Sequence, residues 1–269
     1  MSNPLLPYYE GGAEKGRLEG AGALELRRTQ DILTRRLPPS PAVVLDVGGG
    51  PGVYALWLSE RGYTVHLVNM AASHIDQARA AAAARGVTLA SATVGDARRL
   101  DLPDGSADAV LLLGPLYHLT ERSDREEALR EAARALRPGG VVVAAVISRF
   151  ASLLDGLRAG YLDQPAFAAI VRQDLADGQH RNPTRDPRWF TTAYFHRPEE
   201  PATEMRMAGL QYLGTLAVEG PAWLLPDVEA RLADPARAAQ LMDALRSVEE
   251  EPSLAGASAH LLALGRKIV

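Results

Sequence analysis

The stretch Val43-Val44-Leu45-Asp46-Val47-Gly48-Gly49-Gly50-Pro51-Gly52 constrains this chain more than any other. An apolar run ends in an acid and then in four glycines within five positions, and a helical pattern follows. Glycine is required where the backbone takes positive φ or where a ligand must approach without meeting a Cβ. A dinucleotide fingerprint would place its third glycine at position 53, which is Val53, and a phosphate-binding loop would need a lysine after its last glycine. The turn therefore serves a different ligand from either of these.

The surrounding chain explains how such a unit is buried. Apolar runs at 43–47, 64–68, 89–94, 107–113 and 141–147 alternate with amphipathic stretches at 53–60, 73–85 and 123–136. Strands that are apolar throughout need helices on both faces, so the alternation predicts βαβ units and a mostly parallel sheet. Ser123 and Glu126 are spaced as a capping box, with Arg137-Pro138-Gly139-Gly140 as the stop of that helix. After Phe150 the rhythm changes to helices at 151–159 and 165–177, a polar loop over 177–187, a helix at 198–208, a strand at 211–218, helix over 227–250 and a last strand at 259–264. This order predicts a helical insertion and a late antiparallel pair that closes the sheet. The expected divisions are an N-terminal helical cap (1–40), a core (41–149), the insertion (150–197) and a C-terminal completion (198–269).

Composition removes several function classes. With 269 residues, 47% of them hydrophobic, one enlarged α/β domain can bury a core. The absence of cysteine excludes disulfide frameworks, thiolate metal sites and cysteine nucleophiles. A balance of 29 basic against 33 acidic residues, a formal charge of −4, offers no cationic face for a nucleic acid backbone. No apolar run approaches the roughly 18 residues of a membrane span, and the first residues show no secretory pattern, so a cytoplasmic protein is expected. No two histidines share helical spacing or stand in a zinc-binding motif, so no built-in metal site is expected.

In full the turn reads D-x-G-x-G-x-G, and this resembles the first motif of the class I S-adenosylmethionine-dependent methyltransferases. Further segments resemble that family in order: Asn69-Met70 after the second strand, Gly95-Asp96-Ala97 after the third, 108–114 as the fourth strand and 136–140 before the fifth. The resemblance implies a Rossmann-like α/β fold and S-adenosylmethionine as cofactor. It places the cofactor against Asp46, Gly48, Gly49, Gly50, Gly52, Leu113 and Gly114, with the ribose at Asn69, the adenine between Met70 and Ala97, and Asp96 accepting from the adenine amine. Asn69 departs from the family's usual acid there, offering one acceptor and one donor to a ribose diol instead of two acceptors.

The resemblance also suggests that Tyr9, in the N-terminal Tyr8-Tyr9-Glu10 segment, folds over the cofactor. Arg17, Glu25 and Arg28 are candidates for the cofactor's amino acid end or for an acidic substrate. His118, just past the fourth strand, is the candidate catalytic base, since imidazole titrates near neutrality. Tyr117, His180, Trp189, Tyr194 and His196 concentrate aromatic and polar groups in a chain with only 6% aromatic residues, and are the candidate substrate-binding set. Gly256-Ala257-Ser258-Ala259-His260 superficially matches a nucleophile elbow but enters a strand where that motif needs a helix. The expected function is methyl transfer to an O, N or C nucleophile of a small molecule, with no nucleic acid or membrane partner. The alternatives are an RNA or protein methyltransferase, or a cofactor-binding protein that transfers no methyl.

Overall fold

The computed structural model describes Leu18 and residues 20–268. In chain order the elements are α1 (Ala23–Arg36), β1 (Val43–Val47), α2 (Val53–Ser59), β2 (Thr64–Asn69), α3 (Ala72–Arg85), β3 (Ser91–Val94) and β4 (Ala107–Leu112). There follow α4 (Pro115–His118), α5 (Arg122–Ala135), β5 (Leu136–Ser148), α6 (Ala151–Ala159), α7 (Pro165–Asp177), β6 (Gln179–His180) and β7 (Ala193–His196). The chain closes with α8 (Glu200–Met207), β8 (Leu210–Ala217), α9 (Val228–Ala233), α10 (Pro235–Val248), α11 (Pro252–Ala255) and β9 (His260–Lys267).

The first five strands are parallel in the order β3-β2-β1-β4-β5. Strand β9 runs antiparallel beside β5, and β8 antiparallel beside β9, as the late pair predicted from the sequence. The order reverses between β1 and β4, because β2 and β3 continue to one side while β4 and β5 continue to the other. In an open parallel sheet this reversal opens a crevice at the carboxyl ends of the strands, and ligands bind there. Two apolar clusters cover the two faces. Ile32, Leu33, Tyr54, Trp57 and Ile75 pack on one; Leu116, Ala128, Leu129, Ala132 and Met205 pack on the other. The insertion has its own core around Phe167, Ile170, Val171 and Trp189.

Several boundaries differ from the sequence reading for identifiable reasons. Helix α5 begins at Arg122 with Glu121 at its N-cap and no side-chain cap, so Ser123 and Glu126 form no capping box. Instead Arg122 takes the Glu126 carboxylate at 2.7 Å, while Arg125 gathers the Leu119 and Thr120 carbonyls that precede the helix. Helix α5 does stop, at Ala135 just ahead of Arg137-Pro138-Gly139-Gly140, but β5 begins at once at Leu136 and runs through that segment, with a register shift opposite Ala107 and Ala109. The helix expected over 227–250 is present as two helices, divided because Pro235 lacks an N–H and Asp234 caps the second through Ala236 and Arg237. The polar loop over 177–187 contains the short strand β6, paired with β7.

A buried ion pair joins α5 to α8. The Arg125 guanidinium donates to Glu204 at 2.8 Å with both side chains almost wholly enclosed, and His196 meets the other Glu204 oxygen at 3.2 Å. Burial pushes the Glu204 carboxyl up, but the hydrogen bonds from His196 and Arg125 outweigh it and hold the group below its usual range. Removing one partner strands the other charge away from water. Arg125→Met should therefore cost about 3–5 kcal/mol in urea denaturation. The double change Arg125→Met with Glu204→Leu should recover much of that loss.

Candidate active site

The glycine turn closes onto β1 for reasons visible atom by atom. Gly48, Gly50 and Gly52 all have positive φ, at 72°, 55° and 85°. A Cβ on Gly48 would lie 2.6 Å from Pro115, and one on Gly49 would collide with the Asp46 carboxylate. At Gly50 a Cβ would meet nothing within 4 Å. The first two glycines are thus required by the protein's own packing, whereas Gly50 faces open space. Asp46 is fully buried, and neither carboxylate oxygen has a hydrogen-bond partner. Burial pushes its carboxyl up to about 7, with only the nearby Ala55 amide, which makes no well-formed hydrogen bond to either oxygen, pulling the other way. An orphaned buried acid beside an open, Cβ-free cradle fits a ligand that brings hydrogen-bond donors to the turn.

The ends of the neighbouring strands complete this edge. Asn69 pairs with Val94 across β2 and β3, and the Gly95 amide donates to the Asn69 carbonyl at 3.1 Å, so Asn69, Met70, Gly95, Asp96 and Ala97 converge. The Asn69 side-chain oxygen accepts from the Ala71 amide at 2.9 Å and thereby anchors the start of α3. The Asn69 oxygen, the acceptor that the resemblance would turn to the ribose, is thus already engaged within the chain. Asp96 is gripped by Arg98, whose guanidinium reaches both its oxygens and whose own amide donates to one of them. The bond to Arg98 holds the Asp96 carboxyl below its usual range. On the other side of the switch point Leu113 is half-buried, and a Cβ on Gly114 would stand 3.0 Å from the Gly48 carbonyl, so the β1 and β4 turns touch. Tyr9 and Arg17 lie outside the described residues.

The substrate-binding candidates divide into two groups. Tyr117 and His118 follow Gly114 directly and meet Phe190 of the insertion, with ring centroids 6.1 and 5.7 Å away. His118 Nδ1 lies 3.4 Å from the Thr192 carbonyl. Of the other four, His180, Trp189 and His196 are buried and Tyr194 is half-buried. His180 bridges Asp174 at 2.9 Å and the Phe190 carbonyl at 3.2 Å, with His180 and Asp174 both enclosed. A carbonyl only accepts, so Nε2 is protonated and the ring is committed to the insertion's interior. Trp189 is buried against Phe167. Tyr194 lies under the Arg125 guanidinium at 3.8 Å and contacts Arg149 and Glu200. His196 is wholly buried on Glu204, and burial lowers its pKa. Aromatic richness at 180–197 reflected packing as much as a pocket.

Arg28 is likewise structural: it is buried, donating to the Val218 carbonyl, Asp31 and Glu249. Glu25 instead meets two residues that motif reading did not single out as a site. The donor atoms of Glu25, Glu219 and His260 lie within 4.8 Å of one another, the one group of three among the described residues with metal-ligand chemistry. Its members come from α1, the end of β8 and the start of β9, so no spacing in the sequence reveals it.

Comparison with known proteins agrees with this geometry. The family profile described as "Methyltransferase domain" matches residues 44–140. The tRNA 5-carboxymethoxyuridine methyltransferase of Escherichia coli O157:H7 is 30% identical over 189 residues, covering 68% of this chain and 69% of that protein. A ubiquinone/menaquinone biosynthesis C-methyltransferase, UbiE, of Caulobacter sp. (strain K31) is 34% identical over 123 residues, covering 42% and 48% respectively. Among solved structures, a SAM-dependent methyltransferase of Methanosarcina mazei superposes with a TM-score of 0.61 at 17% identity, covering 88% of this chain and 97% of the other. The chain belongs to the class I S-adenosylmethionine-dependent methyltransferases. It is an enzyme, and S-adenosylmethionine is its cofactor.

Two measurements test the site. Gly50→Ala places a methyl in the open cradle at positive φ; it should cost about 1–2 kcal/mol in stability and weaken S-adenosylhomocysteine binding at least tenfold by calorimetry. Asp46 gives a pH signature. Its folded pKa of about 7 lies above the ordinary 3.8, so between these values the folded state keeps a proton that the unfolded chain has released. The unliganded protein should lose on the order of 4 kcal/mol as pH rises from 4 past 7. Asp46→Asn should flatten that slope in urea titrations and be the more stable protein at pH 8; an unchanged slope would show that the carboxylate is satisfied.

Proposed function

We propose that the enzyme methylates an O, N or C nucleophile of a small molecule that enters between the β4 and β5 ends and the insertion over 150–197. The observation that carries this reading is the aromatic wall of Tyr117, His118 and Phe190, which follows directly on the Gly114–Gly48 contact. A wall of rings beside a cofactor cradle suits a compact, partly apolar acceptor. Stacking on Phe190 and the Thr192 carbonyl hold the His118 ring as part of that wall.

Bound S-adenosylmethionine supplies an electrophilic methyl group, so the chain's own task is to bind, to orient and to exclude water. Gly50 leaves room at the turn, Asn69 and Asp96 address the nucleoside end, and Asp46 receives donors at the amino acid end. Tyr117 and Phe190 orient the acceptor toward the β4 edge.

A second reading has one specific observation in its favour. The relative that matches over 189 residues is named for a tRNA substrate. The formal charge of −4 weighs against a phosphate backbone as partner. Transfer of labelled methyl from S-adenosylmethionine should be measured over a panel of phenols, carboxylates, amines and quinols and, in parallel, over total tRNA. Label is expected in one class of the panel; label confined to tRNA would overturn the small-molecule reading.

A further inference from the structure

The segment after β3 is a tight turn built around one charged pair. Gly95 lets it begin: a Cβ there would lie 2.8 Å from Val68, so bare backbone brings the end of β3 against the end of β2. The Arg99 amide then donates to the Asp96 carbonyl at 3.0 Å and closes a β-turn. Ala97 and Leu100 are buried in the core, whereas the Asp96 and Arg98 side chains are 41% and 39% exposed. Helix α5 pins the turn from its far end, since the Leu100 amide donates to Glu131 at 2.7 Å and Arg134 donates to the Leu100 carbonyl at 2.8 Å.

An aspartate carboxylate offers about four lone-pair positions, shared between its two oxygens. Arg98 occupies three of them: its amide donates to Oδ1 at 2.9 Å, its Nε to the same oxygen at 3.0 Å, and its Nη2 to Oδ2 at 2.6 Å. The amide bond is the local one expected of an Asp that heads a turn. The other two are the parallel bonds of a guanidinium fork, which fixes the plane of the carboxylate. What remains is a single acceptor position, on Oδ2. Arg98 is held in its turn by Asp124 of α5, which accepts from Nη1 at 3.0 Å. The hydrogen bond from Arg98 also keeps the Asp96 carboxyl below its usual range, so the remaining acceptor stays ionised.

We propose that Arg98 is a positioning residue for the cofactor's base: by fixing the plane of the Asp96 carboxylate, it leaves Oδ2 to meet one N–H of the adenine amine from one direction. The inference rests on the placement of Asp96 at the nucleoside end and is independent of the methyl acceptor. A carboxylate free to turn would give that direction up to water, and its selectivity for an amine would fall. A fixed acceptor also rejects. A base with a carbonyl oxygen in place of the amine would bring two acceptors together with no proton between them. A lysine at this position would neutralise Asp96 as a point charge without fixing its plane, so the role requires the fork.

Calorimetry on the whole chain with S-adenosylhomocysteine and with S-inosylhomocysteine, which carries that carbonyl, reads the effect directly. The ratio of the two dissociation constants should be roughly tenfold or more in the wild type, the usual consequence of a lost charge-assisted bond. Arg98→Met should bring the ratio to about threefold or less, and Arg98→Lys, which keeps the charge but lacks the fork, should follow it. Because the Asp96, Arg98 and Asp124 side chains are 41%, 39% and 39% exposed, the unfolding midpoint should stay near wild type in both variants. A pair with a structural role alone would shift the midpoint or weaken both ligands alike and leave the ratio unchanged, and that outcome would overturn the proposal. A wild-type ratio in Arg98→Lys, or a ratio that rises in Arg98→Met, would make Arg98 a charge partner only and overturn it as well. A ratio near one in the wild type would show that Asp96 does not face the base, and would remove that placement together with the proposal.

Discussion

Everything at the ligand edge follows from one buried carboxylate. Asp46 stands next to last in the central strand with no hydrogen-bond partner for either oxygen, and Gly49 has no room for a Cβ because that carboxylate fills the space. The turn must therefore pass over the acid as bare backbone, and it is this passage that leaves Gly50 facing open space. The same reversal of the chain brings Gly48 against Pro115 and Gly114, which fixes β1 and β4 to each other at the switch point. A charged or orphaned group in such a place costs stability, and proteins keep it where a ligand repays the cost.

The parts of the molecule that were legible in the sequence are those in which one local pattern determines the structure. Fully apolar runs could only be covered strands, and the D-x-G-x-G-x-G turn fixed where β1 gives way to α2. Helices α6 and α7 were readable to the residue, because Gly160 and Gly178 stop them in the left-handed conformation. What local pattern could not show was competition between long side chains. Arg122 and Arg125 redirect the start of α5, and the capping box that Ser123 and Glu126 promised is never made. At the candidate site the order of the segments at the strand ends was legible because each directly follows its strand. Over 180–197 it was not: His180, Trp189, Tyr194 and His196 carry polar and aromatic groups whose partners, Asp174, Phe167, Arg125 and Glu204, are supplied by other helices.

The nucleoside end shows how one amide can alter a recognition scheme without destroying it. By giving its oxygen to the Ala71 amide, Asn69 secures the first turn of α3. Asp96, gripped by Arg98, is a charge already half neutralised. The nucleoside edge therefore bears less negative character than two unengaged acids would give it.

The placement of β9 has a consequence for how the molecule is made. The last strand of the chain lies inside the sheet, between β5 and β8, and not at its margin. Strand β8 has no partner in the sheet until β9, which follows it after three helices, is in place, and the apolar flank of β5 stays uncovered for the same interval. The cradle on β1 can form early from neighbouring segments, whereas the Glu219–His260 pair is joined only when the strand slides home. The glycine turn is thus assembled from segments adjacent in the chain, whereas closure of the sheet depends on one strand contributed from far along it.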